Sequence, residues 1–145
     1  MACNTAHLLL PALQLQRRCH VASLIESTVH EIQTQGIKRI GIMASPTTIR
    51  SGLYEKPLRA LGIDVHTPSD SQLIKIERAI RCVIAGSELI CSRIALRHIQ
   101  EDMFASGAQA ILLGCTELSV LFPEKDRNLI DPLHIITNVL MESRL

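Results

Sequence analysis

Two cysteines lie in similar short motifs at distant positions of the sequence, and each could transfer a proton. Cys115 follows the apolar run Ala110–Leu113 in the sequence Gly-Cys-Thr-Glu, and a second apolar segment comes after it. Cys3 lies in the sequence Met-Ala-Cys-Asn-Thr-Ala-His. The run before Cys115 predicts a buried strand that ends where a helix begins. A helix N-terminus lowers the pKa of a nearby thiol, so the motifs predict two reactive thiols.

Two thiols on opposite sides of a substrate could invert the α-carbon of an amino acid. One cysteine removes a proton as thiolate, the other returns a proton as thiol, and the roles are exchanged in the reverse direction. Helix N-termini and nearby hydroxyl and amide side chains are suitable ligands for the substrate carboxylate. The candidate ligands are Asn4, Thr5, Thr48 and Thr116. No cofactor is required if the site itself stabilises the carbanion-like transition state.

The remaining titratable residues have simpler predicted roles. Three cysteines are predicted to be small buried residues in or beside helices: Cys19, Cys82 and Cys91. His7 could tune the Cys3 thiol, or be a surface or capping histidine. Glu117 could orient or tune Cys115, although an acidic residue at a helix start also compensates the helix dipole. The other histidines lack metal-ligand spacing, so no metal is expected.

The composition argues against several other functions. A hydrophobic fraction of 47% and a charged fraction of 20% over 145 residues are typical of a globular domain with an aliphatic core. The formal net charge of +1 and the absence of basic residues interleaved with aromatic ones argue against nucleic acid as a partner. The apolar runs are too short to span a membrane, and no signal peptide is recognisable. Five cysteines without a Cys-x-x-Cys pair predict free thiols in a reducing cytoplasm.

Strands and helices alternate along the sequence, which predicts an α/β fold with a parallel sheet flanked by helices. Strands are predicted at about residues 38–43, 63–66, 110–113 and 129–130. Helices are predicted at about residues 5–18, 24–35, 49–61, 69–86, 87–105, 116–122 and 131–142. Pro11 is expected to kink or end the first helix, and a short extended piece is expected near Val21. The carboxyl ends of such strands are where open α/β sheets bind ligands.

The cysteine motifs and the segment between them resemble the aspartate/glutamate racemase family, and aspartate racemases and broad-specificity amino-acid racemases most closely. The segments that carry the resemblance are Ala-Cys-Asn-Thr-Ala-His at 2–7, Thr-Ile-Arg-Ser-Gly-Leu-Tyr at 48–54, and Leu-Gly-Cys-Thr-Glu-Leu at 113–118. The resemblance implies a cofactor-independent racemase of two pseudo-symmetric α/β domains, with Cys3 and Cys115 as the base and acid between them. It also implies that Asn4, Thr5, Thr48 and Thr116 bind the α-carboxylate and amino group.

The sequence departs from the family pattern in two places. Family members carry several strand–helix units before the first cysteine motif, so this sequence resembles the carboxyl-terminal part of a racemase. We therefore expect residues 1–35 to be a remnant of the first domain, residues 36–123 to form the second domain, and residues 124–145 to return to the first. Aspartate racemases also tend to carry a lysine close to the position of Ile84, so the resemblance does not extend to aspartate specificity.

The predicted function is that of an isomerase that racemises an amino acid without pyridoxal phosphate or another cofactor. Its expected partner is a small-molecule amino acid in D-amino acid metabolism, with a homodimer as a possible assembly and no nucleic acid or membrane involved. One alternative is a truncated, non-catalytic remnant that binds small anions or a partner subunit. A second is a related cysteine-dependent isomerase or decarboxylase, although two cysteine motifs argue against a one-cysteine decarboxylase.

Overall fold

A four-stranded parallel sheet forms the centre of the computed structural model, which describes residues 3–12, 22–123 and 126–142. The strands are β1 (Arg39–Ala44), β2 (Asp64–His66), β3 (Ala110–Gly114) and β4 (Leu129–Ile130). Their order in the sheet is β2-β1-β3-β4, and all neighbouring pairs are parallel. The central strands β1 and β3 are nearly continuous apolar runs because both faces of the sheet are covered. The predicted α/β fold is confirmed.

Helices cover both faces of this sheet. In the described residues they are α1 (Leu24–Thr34), α2 (Pro46–Ser51), α3 (Glu55–Ala60), α4 (Asp70–Ala85), α5 (Leu89–Ala105), α6 (Thr116–Leu121) and α7 (Pro132–Glu142), together with a 3-10 helix at Thr5–Leu9. None of these described helices is both long enough and apolar enough to cross a membrane.

Serine caps fix the start of three helices. Ser23, Ser45 and Ser69 each accept a hydrogen bond from the backbone N–H three residues later, which satisfies one free donor of the first helical turn. The predicted starts of α1 and α4 are confirmed by this capping. The single helix predicted at residues 49–61 is wrong, because α2 ends at Gly52 and a separate α3 begins at Glu55. Gly52 adopts a left-handed φ of 67°. Glycine reaches this conformation without strain, and helices commonly end at such a residue.

Two other expectations change near the ends of helices. The helix predicted from residue 5 begins as a 3-10 helix over Thr5–Leu9, and residues 10–12 are α-helical. Its predicted end, Cys19 and the extended piece near Val21 lie outside the described residues. Cys82 is half-buried and Cys91 is exposed, so the prediction of buried cysteines is wrong for Cys91.

The alternation of β1 and β3 side chains divides the core into two clusters, one on each face of the sheet. On one face Ile40 and Ile42 pack with α1, α3 and Tyr54. On the other face Met43 and Ile111 pack with α4, α5 and α6. Helix α5 approaches β1 so closely that a Cβ atom at Gly41 would lie 2.7 Å from the Met103 sulfur atom. The sheet is therefore a rigid support for the turns at its carboxyl edge.

The helices α1 and α7 pack against each other, and α1 also buries Ile25, Val29 and Ile32 in the same core as β1. Residues 22–34 are thus joined to the sheet by apolar contacts in this structure. The division of the chain into a first-domain remnant, a second domain and a returning segment stays a prediction.

Candidate active site

Strands β1 and β3 bring two of the predicted site residues to one edge of the sheet. The register pairs Ala44, the last residue of β1, with Gly114, the last residue of β3. Ser45 is the N-cap residue of α2, and Cys115 is the N-cap residue of α6. A Cβ atom at Gly114 would lie 2.8 Å from the Cβ atom of Ala44, so the glycine permits this close approach. The turn that carries Thr48 and the turn that carries Cys115 are therefore neighbours.

The Cys115 thiol and the Glu117 carboxylate form a hydrogen-bonded pair. Cys115 Sγ donates to Glu117 Oε2 at 3.0 Å, and the Thr116 hydroxyl donates to the same oxygen at 2.8 Å. Burial, followed by the hydrogen bond and charge of Glu117, raises the pKa of the Cys115 thiol to about 12. The hydrogen bond from Cys115 is the largest cause that lowers the pKa of Glu117. The site therefore holds a protonated thiol beside an ionised carboxylate at neutral pH.

The raised pKa of Cys115 is opposite to the lowered pKa that the helix N-terminus alone predicts. The backbone N–H of Glu117 does lower the pKa of Cys115, as a helix start should. That effect is smaller than the combined effect of burial and a neighbouring carboxylate, both of which disfavour the thiolate. The expectation of a lowered pKa is therefore wrong for Cys115.

The Cys3 thiol lies close enough for its charge to act on Cys115. A charge on Cys3 contributes to raising the Cys115 pKa, and Cys3 itself is exposed. Cys3 is the smallest of the causes that shift the Cys115 pKa, so the two cysteines, which are 112 positions apart in the sequence, interact only weakly through their charges. One is half-buried with a carboxylate partner and the other is open to solvent.

Three hydroxyl groups fasten the segment after Cys3 to the end of β1. Thr5 Oγ1 lies 2.8 Å from Thr48 Oγ1 and 3.2 Å from Ser45 Oγ. The Ser45 hydroxyl donates to Thr48 Oγ1 at 3.0 Å. We call Thr5, Ser45 and Thr48 the hydroxyl cluster. The sequence analysis found Thr5 and Thr48 but missed Ser45. A serine directly before a proline is a common start of a helix, so the position of Ser45 before Pro46 could have indicated a helix cap.

Asn4 anchors the same segment at a second point. The Tyr54 hydroxyl donates to Asn4 Oδ1, and the exposed fractions of the two residues are only 1% and 3%. Burial is the main cause that raises the pKa of the Tyr54 phenol far above its usual range, so the hydroxyl keeps its proton. Sequence reasoning gave Tyr54 no role, although it lies in the 48–54 segment that carries the family resemblance.

His7, the third residue close to Cys3, contacts the cysteine backbone. Its Nδ1 atom lies 2.8 Å from the Cys3 carbonyl oxygen, and the backbone N–H of Leu24 donates to its Nε2 atom at 2.9 Å.

In the part of the chain that the structure describes, no three His, Cys, Asp or Glu side chains lie close enough together to hold a metal ion.

A separate open cavity of about 750 Å³ lies between α1, α7 and the segment that leads into β4. Its lining includes Glu31, Phe122, Asp131 and His134. The predicted site residues, all within the described ranges, do not line it. Cys3, Thr5, Thr48 and Cys115 instead lie at the carboxyl edge of the sheet, where Cys3 is exposed, Thr5 and Cys115 are half-buried and Thr48 is buried.

Comparison with known proteins identifies the family of the chain. A family model described as Asp/Glu/hydantoin racemase matches residues 1–140. The chain belongs to this family. The match includes both cysteine motifs and the hydroxyl cluster.

Three similar proteins are each 26–28% identical to the chain over the aligned residues. A protein of Pectobacterium carotovorum subsp. carotovorum, described as uncharacterized, is 26% identical over 86% of this chain and 81% of its own length. The glutamate racemase of Aquifex pyrophilus is 28% identical over 86% of this chain and 47% of its own length. The crystal structure of an aspartate racemase homologue from Pyrococcus horikoshii OT3 is 26% identical, with a TM-score of 0.78 over 96% of this chain and 62% of that one. The chain thus spans about half the length of that glutamate racemase.

Proposed function

We propose that this chain carries a site for cofactor-independent racemisation of an amino acid, with Cys3 and Cys115 as the two proton-transferring groups. The observation that supports the proposal most directly is geometric: the register places Gly114, next to Cys115, beside Ala44 at the end of β1, and Thr5, two residues after Cys3, lies 2.8 Å from Thr48 in the turn after β1. Membership of the racemase family supports the same chemistry. In this proposal the site lies between two domains, with residues 1–35 and 124–145 belonging to the first and residues 36–123 to the second.

The two cysteines start in different protonation states in this mechanism. Cys115 is the thiol acid, since burial and Glu117 hold its pKa at about 12. Cys3 is assigned the role of the base in this mechanism, and its side chain is exposed. The Cys3 sulfur takes the proton from the α-carbon, the electron pair stays on that carbon, and the Cys115 S–H bond delivers a proton to the opposite face. The product is the other enantiomer, with a Cys3 thiol and a Cys115 thiolate.

Glu117 raises the basicity of the Cys115 thiolate in the second half of the cycle. A Cys115 thiolate next to the Glu117 carboxylate is destabilised by like charge, and it is therefore a strong base. It removes the α-proton of the opposite enantiomer, while the Cys3 thiol donates to the other face. Each direction of the reaction thus leaves the two cysteines in the protonation states from which the opposite direction starts.

The substrate carboxylate and amino group are assigned to the polar side chains around the thiols. Thr5 and Thr48 offer hydroxyl groups that donate or accept, and the Asn4 amide carries N–H donors besides the oxygen that accepts from Tyr54. Thr116 lies next to Cys115 and bonds Glu117. The free thiols of the described cysteines support a reducing cytoplasm as the proposed location. Membership of the racemase family supports an amino acid as the small-molecule partner, and a homodimer is the proposed assembly.

Deuterium incorporation at the α-carbon tests the proposal. Purified protein is incubated in deuterated buffer with L- and D-aspartate, L- and D-glutamate and a panel of other amino acids, and exchange is followed by NMR. We expect deuterium to enter the α-position and the opposite enantiomer to accumulate. No deuterium in any member of the panel would refute racemisation by this chain.

Single substitutions separate the two-thiol mechanism from other cysteine chemistry. Cys3→Ser and Cys115→Ser are each expected to abolish racemisation, because a hydroxyl group is a far weaker acid than a thiol. The matched control is Cys91→Ser, which changes an exposed cysteine on α5 and is expected to leave turnover unchanged. A fully active Cys3→Ser or Cys115→Ser variant would contradict the mechanism.

A further inference from the structure

The imidazole of His7 is a buried link between Cys3 and helix α1. His7 is only 5% exposed. A carbonyl oxygen only accepts hydrogen bonds, so the 2.8 Å contact with the Cys3 oxygen requires a proton on Nδ1. The backbone N–H of Leu24 only donates, so the 2.9 Å contact requires Nε2 to be unprotonated. The two partners together select the neutral ring with its proton on Nδ1.

Both ring nitrogens are thus occupied by backbone groups rather than by a thiol or a substrate-facing group. If His7 gained a proton on Nε2, two donors would face each other at Leu24. If Nδ1 lost its proton, the Cys3 carbonyl would lose its donor. The first step breaks a buried hydrogen bond and the second a partly buried one, which argues against a role for His7 in passing protons during turnover.

The link connects Cys3 to a rigid part of the fold. Leu24 is the first residue of α1 and is fully buried, and the Ser23 side chain caps the same helical turn. Helix α1 is held in turn by Ile25, Val29 and Ile32 against the sheet. The His7 bond therefore ties the Cys3 backbone to a helix that packs on the same sheet whose strand β3 leads into Cys115.

We propose that His7 is a positioning residue, which sets the place of the Cys3 thiol by holding the Cys3 carbonyl and takes no part in proton transfer. The inference rests on the proposed role of Cys3 as a proton-transferring group. Asn4 and Thr5 hold the chain after Cys3, whereas the His7 bond is made to Cys3 itself. A thiol displaced by about 1 Å from its place loses rate out of proportion to binding.

Two substitutions of similar size, His7→Asn and His7→Gln, are each expected to keep one of the two His7 hydrogen bonds and to lose the other. In His7→Asn the amide nitrogen replaces Nδ1 as donor to the Cys3 carbonyl and leaves the Leu24 N–H unmatched. In His7→Gln the longer side chain places its oxygen near the position of Nε2, so it keeps the Leu24 bond and loses the Cys3 bond. The pair changes polarity and burial equally, so a general loss of stability would affect both variants.

We expect His7→Asn to keep kcat within about threefold of the wild type, and His7→Gln to lower kcat on the order of a hundredfold with a smaller change in KM. The loss falls on kcat because Cys3 contacts the reacting carbon rather than the carboxylate. Equal losses in the two variants, or a loss confined to KM, would overturn the positioning role.

Nitrogen-15 NMR of histidine-labelled protein supplies a second readout that needs no turnover. We expect the His7 ring to show a protonated Nδ1 and an unprotonated Nε2 at neutral pH. The opposite tautomer or an imidazolium ring in an active enzyme would reject the His7 link alone. The expected tautomer in a chain that exchanges no α-proton would reject racemisation and, with it, the positioning role, while leaving the structural link established.

Discussion

Replacing Glu117 by glutamine should lower the pKa of Cys115. The substitution keeps the size of the side chain and removes the negative charge that disfavours the thiolate. Burial is the largest cause of the shift and is unchanged by the substitution, whereas the hydrogen bond and charge of Glu117 come next. The pKa should therefore fall from about 12 but stay above its usual value of 9.0.

The ionisation of Cys115 can be followed by the Cβ chemical shift of carbon-13-labelled cysteine over a pH series. The matched control is Glu88→Gln, because Glu88 lies near a different cysteine, with Cys82 Sγ 3.9 Å from its carboxylate. That control should leave the Cys115 titration unchanged. A Glu117→Gln variant whose Cys115 titrates at the same or a higher pH would refute the reasoning, since the carboxylate would then not be destabilising the thiolate.

Three further predictions concern stability. Tyr54→Phe leaves the buried Asn4 oxygen without its donor and should lower the free energy of unfolding by ~1–3 kcal/mol in urea titrations, and no loss would contradict the anchoring bond. Gly114→Ala places a Cβ atom 2.8 Å from that of Ala44 and should cost ~1–3 kcal/mol by the same measurement, whereas a neutral effect would show that the strand ends can separate. The raised pKa of Cys115 stabilises the folded state below pH 9.0, and this contribution should disappear as pH rises towards about 12. Melting temperatures should therefore fall less steeply across that range in Cys115→Ser than in the wild type.

The parts of the site that were predictable from the sequence depend on local patterns. The apolar run Ala110–Leu113 followed by Gly114 and Cys115 is enough to predict a strand, a turn and a helix start. The cap at Ser69 is equally local, because it involves a residue only three positions away. The interruption of the helix at Gly52 was missed because a single glycine is often tolerated inside a helical pattern.

The parts that were not predictable depend on contacts between distant residues. Asn4 and Tyr54 are 50 positions apart, and neither side chain indicates the other in the sequence. The pKa of Cys115 depends on burial by the folded core, which outweighs the effect of the helix start. Cys91 precedes the buried Ser92 by one position, about 100° around α5, so a small error in helical phase changes its exposure.

The two thiols differ in what holds their backbones, and the difference has a consequence for how the site responds to heat and denaturant. Cys115 follows a central strand whose opening requires disruption of the whole sheet. The Cys3 segment is fastened through the side chains of Asn4, Thr5 and His7. Such contacts open in a local event at lower free energy than the core. Amide protons near Cys3 should therefore exchange with solvent before those of β1 and β3. Racemisation, which needs both thiols, should be lost while the sheet is still folded.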